Sequence, residues 1–115
     1  MKNKKFSLSK KIKNKLNSIK LIVTDVDGVL TNGQIIFSEN ETELKSFNVK
    51  DGMAVKLLRA IGIEIAFISG GNSFSTQQRA KSLFVSECYT CIEDKYKKLK
   101  EIQEKLNISP ECTLL

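Results

Sequence analysis

The chain has 115 residues and a net charge of +6, with 41% hydrophobic and 28% charged residues, one Pro and six Gly. That balance excludes a disordered or collagen-like polypeptide, and the length fits one domain. No apolar run approaches the roughly 20 residues of a membrane-spanning helix, and no apolar stretch follows the basic start as a secretion signal requires. A cytoplasmic protein without a membrane partner is expected.

The charge is uneven. Residues 1–20 hold eight Lys and no acid, whereas the other 95 hold 11 basic and 13 acidic side chains. Ile12, Leu16 and Ile19, spaced i, i+4, i+7, predict an amphipathic leader helix within residues 1–19. It reads as a solvated element rather than a nucleic-acid arm, because Phe6 is its one aromatic and no nucleic-acid motif accompanies it. The domain proper is expected over 20–115.

Lys20–Thr24 is a short apolar run rich in β-branched residues and predicts a buried strand. Asp25 to Asn32 reads as a loop containing Gly28. Gln34–Phe37 and Glu43–Val49 flank a polar stretch and predict a hairpin or flap. Asp51 is expected to cap a helix whose apolar face is Ala54, Leu57, Leu58 and Ile61, with Gly62 as its stop. Ile63–Ile68 predicts a second strand, ending at Ser69-Gly70-Gly71. Asn72 or Ser73 is expected to cap the next helix, which runs to about Leu83. Val85–Tyr89 predicts a third strand. A helix from about Asp94 to Leu106 would bury Tyr96, Leu99, Ile102 and Leu106, and Cys112–Leu115 opens a fourth strand.

This alternation of strand and helix predicts an α/β fold, a three-layer Rossmann-like parallel sheet with a β-hairpin flap. Ligands in such sheets sit beyond the carboxyl ends of the strands. Asp25 and Ser69 fall at such ends, and Lys95 falls just past the third strand.

The chain has no His, which removes Ser-His-Asp and Cys-His catalysis. Cys88 and Cys91 match C-x-x-C, but with Cys112 as the one remaining soft donor a zinc site lacks ligands, so ordinary thiols are expected. The acids are more telling. Asp25-Val26-Asp27-Gly28-Val29-Leu30-Thr31 sets two carboxylates two residues apart after a buried strand. Such a pair repels unless a cation intervenes, and Mg²⁺ takes oxygen ligands of this kind. One carboxylate could attack phosphorus while the other protonates the leaving alcohol.

The D-V-D-G-V-L-T run after K-L-I-V-T resembles the first motif of the haloacid dehalogenase superfamily. With Asn32-Gly33, the run Glu43-Leu44-Lys45-Ser46-Phe47-Asn48-Val49-Lys50-Asp51-Gly52, Ile68-Ser69-Gly70-Gly71 and Asp94-Lys95, the chain is similar to the small, capless sugar-acid phosphatases of that superfamily. Those act on 3-deoxy-D-manno-octulosonate 8-phosphate and related nonulosonate 9-phosphates. The resemblance implies Asp25 as the nucleophile and Asp27 as the general acid and then base. It implies Mg²⁺ held by the Asp25 carboxylate and the Asp27 carbonyl, Ser69 on a phosphate oxygen, and Lys95 neutralising phosphate charge and orienting Asp25. It further implies a homotetramer assembled through the hairpin. The family carries a basic residue where this chain has Gly71. It also continues past a fourth strand into an acidic G-D-D-type loop, so the domain is expected to be C-terminally incomplete. Two other functions are consistent with the sequence: a non-catalytic binding or oligomerisation module, and a companion domain of a sugar-acid cytidylyltransferase.

Overall fold

In a computed structural model of the chain the described residues are 9–34, 36–37, 39–40, 43–71 and 74–115. The start of the basic leader, Ile35 of the expected hairpin and the expected helix cap at Asn72 or Ser73 lie outside them.

Helix α1 (Lys10–Asn17) is capped by Ser9, whose hydroxyl accepts from the Ile12 amide. Ile12 and Leu16 on its apolar side remain half exposed. The chain then enters a four-stranded parallel sheet, order β5-β4-β1-β6, built from β1 (Leu21–Asp25), β4 (Glu64–Ile68), β5 (Glu87–Tyr89) and β6 (Thr113–Leu114). Alternation with period two sorts the strand side chains onto two faces. Ile65, Phe67 and the partly buried Ile22 pack with Val26, Val55, Ala80 and Leu83 on one face. Leu21, Val23, Ala66 and Ile68 pack with Leu99 and Ile102 on the other. Helices α2 (Val49–Ala60) and α3 (Phe74–Ser82) thus cover the first face and α4 (Lys95–Leu106) the second, giving the expected three layers.

β1 pairs with β4 over all five rungs, from Leu21↔Glu64 to Asp25↔Ile68. On its other side β6 covers two rungs, Leu21↔Thr113 and Ile22↔Leu114. Beside the remaining rungs lies a trough of about 570 Å³, lined chiefly by apolar residues including Ile68, Leu99, Leu114 and Leu115.

Three expectations need correction. Asn48, not Asp51, caps α2: its side chain accepts from the Lys50 amide, which places Asp51 inside the first turn. The buried face of α2 is Gly52, Val55 and Leu58, while Leu57 and Ile61 are exposed. The close approach of Arg79 and Leu83 to Gly52 sets that rotation, since a Cβ there would meet Arg79 at 2.5 Å and Leu83 at 3.2 Å. Among the described residues the second strand of the hairpin is also shorter than expected. Strands β2 (Ile36–Phe37) and β3 (Glu43–Leu44) pair over two antiparallel rungs, and Phe47 leaves the hairpin to pack on the core. Helix α4 carries a smaller exception: Tyr96 is exposed whereas Leu99 and Ile102 are buried.

Candidate active site

The site sits at the carboxyl ends of β1 and β4, and the loop after β1 creates it. The Val26 side chain is buried and its carbonyl accepts from the amides of Val29, Leu30 and Thr31 at 3.3, 2.9 and 3.2 Å. These bonds curl the chain into one tight turn. Gly28 takes φ +77°, a conformation that a side chain disfavours. The buried Thr31 hydroxyl accepts from the Gly28 and Gly33 amides at 3.1 and 3.2 Å, fixing the far side of the turn.

This frame aims the two aspartates differently. Asp25 ends the strand: its Oδ1 accepts from the Val26 amide at 2.8 Å and its Oδ2 from Lys95 Nζ at 2.8 Å. Lys95 opens α4, where Asp94 caps the helix by accepting from the Lys97 amide. Asp27 projects from the turn. Its Oδ1 accepts from Lys45 Nζ at 2.5 Å and its Oδ2 from the Ser69 hydroxyl at 3.4 Å. Ser69, 1% exposed, is held by its amide donating to the Tyr89 carbonyl and its carbonyl accepting from the Ile92 amide. Its Oγ also accepts from the Gly71 amide at 3.2 Å.

The four residues expected at the site, Asp25, Asp27, Ser69 and Lys95, therefore meet in one place. Gly71 borders it, since a Cβ there would lie 3.7 Å from Ser69 Oγ and 3.8 Å from Asp27 Oδ2, ordinary contact distances. Sequence reasoning missed Lys45. It stands within the motif run that carries the resemblance, but nothing in a Lys-rich chain marks it out from its neighbours.

The donors suit a hard divalent cation in kind: a carboxylate of Asp25, and the Asp27 carbonyl, which accepts no hydrogen bond among the described residues. They are few in number. Among the described residues no group of three His, Cys, Asp or Glu could hold a metal ion. Asp94 is committed to its cap, and Asp51 lies in the first turn of α2 beside Asn48 and Thr31. Cys88, Cys91 and Cys112 are free thiols, and burial pushes the Cys88 thiol up.

No family profile matches the chain. It is 36% identical over 97 residues to the 3-deoxy-D-manno-octulosonate 8-phosphate phosphatase of Escherichia coli K12, a match covering 84% of this chain and 52% of that protein. Among solved structures, the corresponding phosphatase of Moraxella catarrhalis, in complex with magnesium, phosphate and 3-deoxy-D-manno-octulosonate (KDO), superposes with a TM-score of 0.85. The two are 38% identical, with 90% of this chain and 59% of that one covered. A Legionella pneumophila chain assigned to the HAD superfamily, subfamily III A, superposes at 0.83 with 33% identity, covering 87% and 55%. The chain belongs to the haloacid dehalogenase superfamily. Within this superfamily it is similar to the 3-deoxy-D-manno-octulosonate 8-phosphate phosphatases, and it spans about half the length of the curated relatives it matches. The parallel sheet with helices on both faces is the fold those neighbours share. Among the described residues no helix is long and apolar enough to cross a membrane.

Proposed function

We propose that the chain carries the nucleophile-bearing half of a Mg²⁺-dependent phosphatase for a sugar-acid phosphate, of the class of 3-deoxy-D-manno-octulosonate 8-phosphate. The observation that carries this reading is the convergence of Asp25, Asp27, Ser69 and Lys95 at the ends of adjacent parallel strands. Similarity to a phosphatase solved with magnesium, phosphate and KDO supports the substrate class and the metal.

In this scheme Asp25 attacks the phosphorus atom, the bond to the sugar oxygen breaks, and an aspartyl-phosphate forms. Asp27 gives its proton to the departing alkoxide and takes one back from the water that hydrolyses the aspartyl-phosphate. Lys95 holds Asp25 Oδ2 and so fixes the direction of attack, while placing a positive charge where phosphate charge accumulates. The Ser69 hydroxyl, anchored by a buried backbone, is placed to hydrogen-bond a phosphate oxygen. A bound Mg²⁺, held by the Asp25 carboxylate and the Asp27 carbonyl, would supply further neutralisation of the transferring phosphoryl group. We assign the chain to sugar-acid phosphate metabolism of the lipopolysaccharide type, to the cytoplasm, and to an assembly of copies, a tetramer, joined through the β2–β3 hairpin.

A non-catalytic module with the same fold is the second reading, favoured by the short supply of acidic ligands among the described residues. Acid-quenched mass spectrometry after incubation with a sugar-acid phosphate and Mg²⁺ separates the two. A phosphate adduct on Asp25 supports the enzyme. Absence of both adduct and free phosphate leaves the binding module.

A further inference from the structure

Lys45 is the basic residue of the hairpin region, and the scheme above leaves it without a task. It follows β3 directly, and its surroundings are unlike those of the hairpin. Ile36, Phe37 and Leu44 are exposed, yet the Lys45 side chain is 4% exposed and its ammonium reaches Asp27, eighteen residues back. Burying an ammonium is costly unless it is paired, and an isolated two-rung hairpin has little stability of its own to hold a side chain in place. The neighbouring backbone supplies the anchor. Thr31 and Phe47 form an antiparallel bridge, Phe47 packs on the core, and Arg79 lies over the Phe47 ring while donating to the Asn48 carbonyl. Lys45 is thus delivered from a fixed stretch of chain onto a carboxylate whose side chain is half exposed.

Two roles are open to such a cation, and burial separates them. A lysine that bound the substrate's phosphate or carboxylate would present its ammonium to solvent, as Lys95 does at 46% exposure. The Lys45 side chain is covered, so it acts through the groups it touches, Asp27 among them. By occupying Oδ1 of Asp27 it leaves Oδ2 turned toward Ser69 and Gly71, the side on which the reacting phosphate would lie. We infer that Lys45 is a positioning residue: it selects which oxygen of Asp27 faces the substrate, and through it the hairpin is mechanically tied to the proton-transfer step.

The inference rests on the phosphatase reading for its consequence, but its core is a contact that is measurable without turnover. The chain's aspartates are Asp25, Asp27, Asp51 and Asp94, so carboxyl-¹³C labelling of aspartate gives a small set of resonances, with Asp27→Asn identifying one. In Lys45→Met the Asp27 resonance should shift while those of Asp51 and Asp94 stay, and Lys45→Arg should restore it. Lys45→Gln serves if the methionine variant does not fold. With Mg²⁺ and 4-nitrophenyl phosphate, Lys45→Met should lower kcat by about 10- to 100-fold with KM nearly unchanged, and Lys45→Arg should recover part of the loss. An Asp27 resonance unmoved in Lys45→Met overturns the inference. So does a loss expressed as a matching rise in KM, which would make Lys45 a substrate ligand. If the wild-type chain turns over no phosphate ester, the phosphatase reading fails, and the resonance alone then decides whether Lys45 positions Asp27.

Discussion

Lys95 and Asp25 are seventy residues apart in sequence, yet the Lys95 ammonium donates to Asp25 Oδ2 across 2.8 Å. One stands at the end of a strand and the other at the start of a helix, so the contact reports how closely α4 packs beside β1. Both side chains keep access to solvent, at 41% for Asp25 and 46% for Lys95.

That pairing sets the first expectation. Asp25→Asn should abolish phosphate release, because an amide is no nucleophile and a poor ligand for Mg²⁺. Lys95→Met should keep the fold and reduce turnover by about 100-fold or more, the usual effect of losing a donor to developing negative charge. Phosphate release from an aryl phosphate in the presence of Mg²⁺ measures both. Activity in Asp25→Asn close to wild type would remove Asp25 from its role.

Metal binding should be weak. One carboxylate, one carbonyl and water carry little negative charge, and Asp25 is already shared with Lys95. Calorimetric titration with Mg²⁺ is expected to give a Kd of about millimolar or weaker. Tight stoichiometric binding would show that an acid outside this pair enters the site.

Self-association is expected through the hairpin. Ile36, Phe37 and Leu44 expose apolar surface on a two-rung ribbon, which gains stability by packing against another surface. Sedimentation should show a discrete tetramer that dissociates in Phe37→Asp with Leu44→Asp. Phe47 is unsuitable for this test because it belongs to the chain's own core. A folded wild-type monomer at tens of micromolar would contradict the assignment.

Gly52 faces close neighbours. A side chain there would push Arg79 Nη2 off the Asn48 carbonyl and away from the Phe47 ring, and would press on Leu83, 3.2 Å from the position of a Cβ. Gly52→Val should destabilise the fold by about 1–3 kcal/mol, read from the denaturant midpoint. It should also loosen the segment that carries Phe47. An unchanged midpoint would mean that α2 moves aside freely.

Glu87 gives the fold an acid limit. It is buried on β5, with Lys105 Nζ 2.8 Å from Oε1 and the Tyr89 hydroxyl donating to Oε2. Burial pushes the carboxyl up, but the bonds from Lys105 and Tyr89 and the Lys105 charge outweigh it, so the group lies below the usual 4.5. The unfolded chain therefore takes up this proton first as pH falls. The contribution of Glu87 is complete above about pH 4.5 and is lost as pH drops through the lower folded value. Glu87→Gln should be less stable at neutral pH and should show a flatter fall in stability below pH 5. An acid limb that matches wild type would assign the acid sensitivity elsewhere.

The three-layer parallel sheet was legible in the sequence, and so was the placement of the candidate residues Asp25, Asp27 and Ser69 at the carboxyl ends of its strands, whereas Lys95 stood out from its neighbouring lysines only through the family resemblance. β-branched apolar runs that end in Asp25 and in Ser69 can be read locally, because a buried strand needs continuous hydrophobicity and its carboxyl end needs a loop. Asn107, at φ +55°, likewise stops α4 where the sequence says it should. Only the tertiary structure decided the rest. The rotation of α2 follows from Gly52 meeting Arg79 and Leu83, a contact between residues some thirty positions apart, whereas the apolar residues of the helix alone pointed to Leu57 and Ile61. The second hairpin strand ends at Leu44 because Phe47 gains more by packing on the core than by extending a ribbon in water. Lys45 carries no local sign of its task. A lysine's role depends on which carboxylate lies within reach and how much water is excluded, and both are set by the chain folding back on Asp27.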